Sequence, residues 1–153
     1  MTPPATAYAM CLRWLTLRSR SEAYLRQRLQ RKGCDDDNIE QALHRCRELG
    51  YIDDQRYAIE RAGQLMRQGR AVGIRLHQEL HKDGINEHLA TLAIDQCRQE
   101  YNEQNILADL VERRYANVDF STIDQRQQRR VVNYLQRRGF PLAMILNHLK
   151  NKS

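Results

Sequence analysis

Arginine is the residue type in this chain with the greatest capacity for chemistry. The 153 residues include 25 basic ones, 21 of them arginine and four lysine, against 19 acidic ones, and the net charge is +6. An arginine side chain presents a rigid fork of N–H donors that fits carboxylate and phosphate groups. The composition therefore indicates an acidic protein surface, a nucleic acid, or both as the partner of this protein.

The other reactive residue types form no convincing site. His77 and His81 are one helical turn apart, but the segment is not H-E-x-x-H and a zinc site needs further ligands. The acidic run at 35–40 lacks the glycine and the final glutamate of a calcium-binding loop. The four cysteines show no C-x-x-C spacing and are expected to be free thiols. We therefore expect no enzyme, and a protein that needs neither a cofactor nor a metal.

A short phrase, Leu-x-x-x-Gly, appears three times and indicates how the arginines are positioned. It covers 29–33, 80–84 and 135–139, so the glycines recur at steps of 51 and 55 residues. Glycine at this place ends a helix because it accepts a left-handed conformation. A period near fifty is typical of an array of repeated units. Each glycine is followed by an apolar residue, so the predicted structural positions are Gly33, Gly84, Gly139 and Phe140, with Cys34 and Ile85 matching Phe140.

The elements of this array are predicted to be helices. Apolar residues recur at helical spacing almost throughout, and prolines occur only at positions 3, 4 and 141. The pattern predicts an all-α fold of nine helices in three tandem three-helix modules, at 1–52, 53–101 and 102–153. Ser19, three residues before Glu22, is predicted to cap the second helix. Modules in a row predict an elongated molecule, with a radius of gyration above the roughly 15 Å of a compact chain this long.

Charge alternates along the predicted array. Segments 1–34, 35–60, 61–82, 83–112 and 113–153 carry net charges of +6, −5, +4, −6 and +7. The helix dipole favours cations only near a helix C-terminus, so it does not explain basic residues in mid-helix. We therefore predict that the second helix of each module presents a partner-binding face, formed by Arg26, Arg28, Arg31, Lys32, Arg70, Arg75, Lys82, Arg129, Arg130, Arg137 and Arg138.

The segment Gly-Tyr-Ile-Asp-Asp-Gln-Arg-Tyr-Ala at 50–58 links the first two modules. Asp53 or Asp54 is expected to cap the next helix. Tyr51 and Tyr57 are expected to pack across the junction. The predicted structural residues of this segment are Gly50, Tyr51, Asp53, Asp54, Arg56 and Tyr57.

This junction and the repeats together resemble the RecX family of recombination regulators. The family's junction motif is matched throughout 50–58, and an earlier family motif is matched except that Tyr24 replaces a glutamate. The entry to the middle repeat also departs from the family pattern, because Arg70 and Val72 stand in place of glycines and Gly73 in place of a proline. Leu76 stands where the family has isoleucine, and the matched positions outside the junction are Arg18, Ser21, Leu25, Leu29, Arg75, Glu79, Leu80, Gly84, Ile85, Leu135, Arg138, Gly139, Phe140 and Ile145.

The resemblance implies an elongated, curved array that binds in the groove of the RecA filament on single-stranded DNA. It further implies that the protein blocks filament growth and reduces the ATPase, strand-exchange and coprotease activities of RecA in recombination and the SOS response. We expect a cytoplasmic monomer with no membrane contact and at most weak contact with DNA. The alternative is a direct nucleic-acid-binding protein, because three-helix modules with arginine-rich helices resemble helix-turn-helix units in outline.

Overall fold

The computed structural model describes residues 4–152, and the side chains of residues 6–152. Within that range the chain forms nine α-helices and no strand, which confirms the all-α prediction. We refer to α1–α3, α4–α6 and α7–α9 as the first, second and third triplets. The helices are α1 Pro4–Leu17, α2 Glu22–Arg31, α3 Asp36–Glu48, α4 Asp54–Arg67, α5 Gly73–Lys82, α6 Glu87–Glu100, α7 Glu103–Arg114, α8 Gln125–Arg137 and α9 Leu142–Lys152.

Most helices begin at a side-chain cap. In six of them a Ser, Asp or Asn side chain accepts a hydrogen bond from the backbone N–H three residues later, which satisfies a donor that the helix leaves unpaired. Asp53 has this role in α4, while Asp54 is the first helical residue. The predicted cap at Ser19 is wrong, because α2 begins two residues later and Ser21 caps it by accepting from Tyr24 N–H. The six caps are Ser21, Asp35, Asp53, Asn86, Asn102 and Asp124.

The repeated leucines lie in the core. Leu29, Leu80 and Leu135 are fully buried. Among the described residues, one cluster of buried side chains belongs to the first triplet together with Ile52, and a second cluster extends through the second and third triplets. The leucine phrase therefore ends a helix and anchors it at the same time.

The molecule exposes more surface than a compact protein of its mass. Its accessible surface is 9602 Å². A compact monomer of 18.1 kDa is expected to expose about 8,100 Å². The excess is the direction expected for helical triplets placed in a row. Across the described part of the chain, each helix is too short or too polar to cross a lipid bilayer.

Candidate partner-binding surface

The second triplet contacts the N-terminus of α2, an arrangement we call the first joint. Ser21 Oγ donates a hydrogen bond of 2.6 Å to the carbonyl of Asp83, the residue that ends α5. The backbone N–H of Glu22 donates to the Asp54 carboxylate at 2.9 Å. A Cβ atom added to Gly84 would overlap the Cβ of Ala23, so the two segments approach as closely as glycine allows. The end of α5 is therefore seated on the start of α2.

Partly buried polar groups surround Asp83 at the first joint. Tyr57 OH donates to the Asp83 carboxylate at 2.8 Å, and Arg61 Nε lies 3.6 Å from the same carboxylate. Burial and, secondly, this hydrogen bond raise the pKa of Tyr57 to about 12. Burial also raises the pKa of Asp54, and the bond from Glu22 N–H partly opposes that shift. These contacts lie within the second triplet, where Tyr57 and Arg61 hold Asp83 in place at the joint.

The third triplet contacts the start of α5 in a matching way, which we call the second joint. The backbone N–H of Val72, the N-cap of α5, donates to the carbonyl of Arg138 at 2.8 Å. A Cβ atom added to Gly139 would overlap the Val72 carbonyl. Val72 and Ser21 each lie eight residues before the repeated leucine. The altered entry to the middle repeat therefore lies at a contact between triplets.

The repeated glycines had been predicted only as helix ends. In the structure Gly84 and Gly139 are also the points of closest approach between triplets, whereas a Cβ added to Gly33 or Gly50 meets no atom within 4 Å. No local pattern tells whether such a glycine only ends a helix or also contacts another triplet, because the contact depends on a segment about 60 residues away. Ser21 and Val72 occupy equivalent positions in the repeat, and this equivalence is the signal in the sequence that points to the contacts between triplets.

The remaining junction residues behave differently from one another. The prediction that Tyr51 packs across the junction is wrong, since its side chain is 49% exposed and Ile52 takes the inward position. Arg56 is exposed and donates to the carbonyl of Gly50 at 3.2 Å. Phe140 is buried in the core that the second and third triplets share.

The arginines of α2 are largely engaged within the first triplet. Arg26 forms ion pairs with Glu22 and with Glu40 of α3. This contact lowers the pKa of Glu40. Arg28 lies over the Trp14 ring, 4.6 Å from its centroid, and donates to Tyr24 OH at 2.5 Å. In the middle of α2, therefore, Arg26 is paired with carboxylates and Arg28 keeps its charge but is held against aromatic side chains.

The end of α2 differs from its middle. Arg31 and Lys32 are exposed and form no ion pair with the described part of the chain. With Tyr24, Gln27 and Arg28 they line an open groove.

The basic residues around α5 are also partly compensated. Arg75 pairs with Glu79 at 2.9 Å, and Lys82 lies 3.6 Å from the same carboxylate. Arg70 is exposed and donates to the side chain of Gln68 at 3.5 Å. Two of the three basic side chains that the sequence assigns to this face are therefore already paired with a carboxylate of their own helix.

The arginines of α8 form the largest uncompensated basic face in the described structure. Four of them are exposed and have no ion-pair partner within residues 6–152. Three of these four recur at i, i+4 and i+11, which places them on one side of the helix. Arg138 instead stacks on Tyr134, 4.9 Å from the ring centroid. The α8 face consists of Arg126, Arg129, Arg130 and Arg137.

The histidines and cysteines are the side chains with the greatest capacity to ligate a transition metal. His77 Nδ1 lies 3.4 Å from a Glu87 carboxylate oxygen, and His81 is exposed. Across the described part of the chain, no three His, Cys, Asp or Glu side chains are grouped as metal ligands would be. The four cysteines are buried free thiols, and three of them, Cys11, Cys34 and Cys46, belong to the core of the first triplet.

Comparison with known proteins gives a consistent result. The family model described as "RecX, first three-helix domain" matches residues 7–46. The regulatory protein RecX of Syntrophotalea carbinolica is 45% identical over 152 residues, covering 99% of each chain. That of Trichlorobacter lovleyi is 38% identical over 142 residues, covering 93% of this chain and 92% of the relative.

Solved structures agree on the fold. The crystal structure of RecX from Lactobacillus salivarius superposes with a TM-score of 0.72 at 21% identity, covering 96% of both chains. A second crystal structure of a regulatory protein RecX gives a TM-score of 0.71 at 24% identity, covering 97% of this chain and 71% of the other. Full-length sequence similarity and a shared array of helices place this chain in the RecX family of regulatory proteins.

Proposed function

We propose that this protein binds the filament that RecA forms on single-stranded DNA and inhibits its growth and its activities in recombination and the SOS response. The observation that carries the proposal is the near-complete match to relatives named regulatory protein RecX. Such a protein acts in the cytoplasm as a monomer, through an extended protein-binding surface and without a cofactor. We also propose that the chain divides into three modules, at 1–52, 53–101 and 102–153.

The α8 face is the strongest candidate for the main contact. Its four guanidinium groups are exposed and unpaired, so binding an acidic surface requires no internal ion pair to be broken. In α2 and α5, by contrast, Arg26, Arg75 and Lys82 would have to exchange an existing carboxylate for a new one. We expect the third triplet to contribute more of the electrostatic attraction than the other two.

The direct test measures DNA-dependent ATP hydrolysis by RecA with substoichiometric amounts of this protein added. Inhibition below a one-to-one ratio is expected, because one molecule that stops filament growth affects many protomers. A rate of hydrolysis that is unchanged at every ratio would overturn the proposal.

The α8 face also favours the second candidate function, direct binding to nucleic acid. Four unpaired arginines suit phosphate contacts, and such binding weakens steeply as salt is raised. The acidic start of α3, Asp35–Asp37, argues against a recognition helix that enters a groove of DNA. A salt titration with bare DNA separates the two: tight, sequence-selective binding at physiological salt favours the second function, and weak, steeply salt-dependent binding favours the first.

A further inference from the structure

Of the three repeated phrases, the one at the C-terminal end of α2 takes part in neither joint. In both joints the residue that ends the second helix offers its carbonyl to the N-cap residue of another second helix. Asp83 accepts from Ser21 Oγ, and Arg138 accepts from Val72 N–H. The corresponding residue of α2 is Lys32, and its carbonyl accepts no hydrogen bond from the described part of the chain.

The space around Gly33 agrees with this. A Cβ added at Gly84 or Gly139 would overlap the neighbouring triplet, but at Gly33 it would meet nothing within 4 Å. The backbone conformation is alike at the first two phrases, with φ of +83° at Gly33 and +81° at Gly84. The end of α2 thus has the geometry that the ends of α5 and α8 show in the joints, but no helix start of the described chain is bound to it.

We propose that the α2 end, Arg31–Gly33, docks onto the N-terminus of a helix in a partner protein. Both joints bring the carbonyl end of one helix to the N–H end of another, which aligns the two helix dipoles favourably. The first joint adds the requirement for a small first-turn residue, since Ala23 lies against Gly84. The exposed side chains of Arg31 and Lys32 favour an acidic residue in the first turn of the partner helix, where acidic residues are common.

A second copy of this chain does not supply that helix. The N-termini of α2 and α5 are already covered by the two joints. In the third triplet, the position equivalent to Ser21 and Val72 is Gln127. Helix α8 begins at Gln125, so Gln127 lies inside the helix and is not its N-cap. No second helix of another copy is therefore free to complete a joint of this kind, and we place the partner helix in a different protein; this inference rests on the proposed function, in which that protein forms the filament.

The test compares Gly33→Asn with Gly50→Asn in binding to the RecA filament on single-stranded DNA. Both glycines belong to the first triplet, have a left-handed backbone and face open space, with φ of +83° and +76°. Asparagine tolerates this backbone better than other residues with a Cβ. Thermal unfolding checks that both variants remain folded to the same extent. We expect G33N to bind at least about tenfold more weakly than wild type, as for loss of a central interface contact, and G50N to bind within about twofold.

The outcomes separate the two proposals. Wild-type protein that does not bind the filament would overturn the proposed function. Wild-type binding together with equal affinities for G33N and G50N would overturn only the docking at the α2 end. If G33N fails to fold, Lys32→Glu replaces it, because it changes the charge of an exposed side chain and leaves the backbone alone. K32E that binds as tightly as wild type would then contradict the proposal.

Discussion

Helices α2 and α8 occupy equivalent places in the repeat, yet they offer a partner different amounts of charge. Both end in the phrase Leu-Gln-Arg-(Lys/Arg)-Gly and both are rich in arginine. In α2, Arg26 lies between two glutamates and Arg28 lies on an aromatic ring. In α8 the four arginines of its exposed face have no ion-pair partner within residues 6–152. A count of formal charge therefore does not measure the charge that a partner meets.

The difference originates in the helix that packs against each of them. Helix α3 begins with three acidic residues and carries Glu40, which reaches Arg26. Helix α9, which packs on α8, contains no acidic residue between Leu142 and Lys152. The third helix thus contributes to this difference, since α3 supplies a carboxylate to α2 and α9 supplies none to α8.

The largest expected effect distinguishes the glycines that end these two helices. Gly139→Ala places a Cβ where the Val72 carbonyl lies and keeps a left-handed backbone, so the second joint must open. We expect a loss of about 2–4 kcal/mol in the free energy of unfolding, from backbone strain and a lost hydrogen bond. Gly33→Ala suffers only the strain and should lose about 1–2 kcal/mol. Denaturant unfolding measures both values, and equal losses would show that Gly139 is no more than a helix cap.

The next effect concerns charge reversal on the two helices. Arg129→Glu with Arg130→Glu should weaken filament binding at least about tenfold, as expected for the loss of attractive contacts, and should leave the melting temperature unchanged. Arg26→Glu with Arg28→Glu should instead lower stability by about 1–2 kcal/mol, because a cation–π contact and a hydrogen bond are lost.

Both doubles change the net charge equally, so a general electrostatic effect would weaken binding to the same extent in each. Four proteins are compared: the wild type, the two double variants and Arg56→Glu, an exposed control. Filament affinity and thermal unfolding, measured on the same preparation of each protein, separate these causes. A stable Arg26/Arg28 double that binds poorly would contradict the distinction drawn between α2 and α8.

The smallest effect is a pH dependence at the start of α2. Burial raises the folded-state pKa of Asp54 above its unfolded value, so its ionisation opposes folding. Stability from this group is greatest below the unfolded pKa and declines as pH rises through the folded pKa. Asp54→Asn keeps an oxygen that accepts from Glu22 N–H but cannot ionise.

The measurement follows the unfolding free energy of wild type and D54N as pH is raised from about 3, below the usual aspartate pKa. The variant should gain stability relative to wild type over this range. A difference that stays constant or moves in the opposite direction would show that the carboxylate is better accommodated than its burial indicates.

Sequence reasoning predicted the helices, the buried leucines and the repeat because each is encoded by neighbouring residues. Leu29 and Gly33 mark a helix end through local geometry alone. The prediction of Ser19 as the cap of α2 was wrong, and Ser21, which takes that place, also bonds the carbonyl of Asp83, 62 residues away. No period or spacing reports such a contact.

The candidate site shows the same division between local and distant information. The sequence identified the basic helices and counted their charge correctly. It did not show that Glu40 neutralises Arg26 or that Trp14 covers Arg28, because these partners come from other helices. The arginines of α8 remained as exposed as the sequence indicated, since their neighbouring helix brings no carboxylate.

The two joints bear on how a chain of this kind can grow or shorten. The second triplet carries both connecting surfaces within itself, the N-terminus and the C-terminus of α5. An internal gene duplication therefore copies the connector along with the unit, and no new interface has to arise. The additional residues at the start of α8 cover the connecting surface that a fourth unit would use. The third triplet thus differs from the other two at this surface, as the end repeats of other helical arrays differ from their internal repeats.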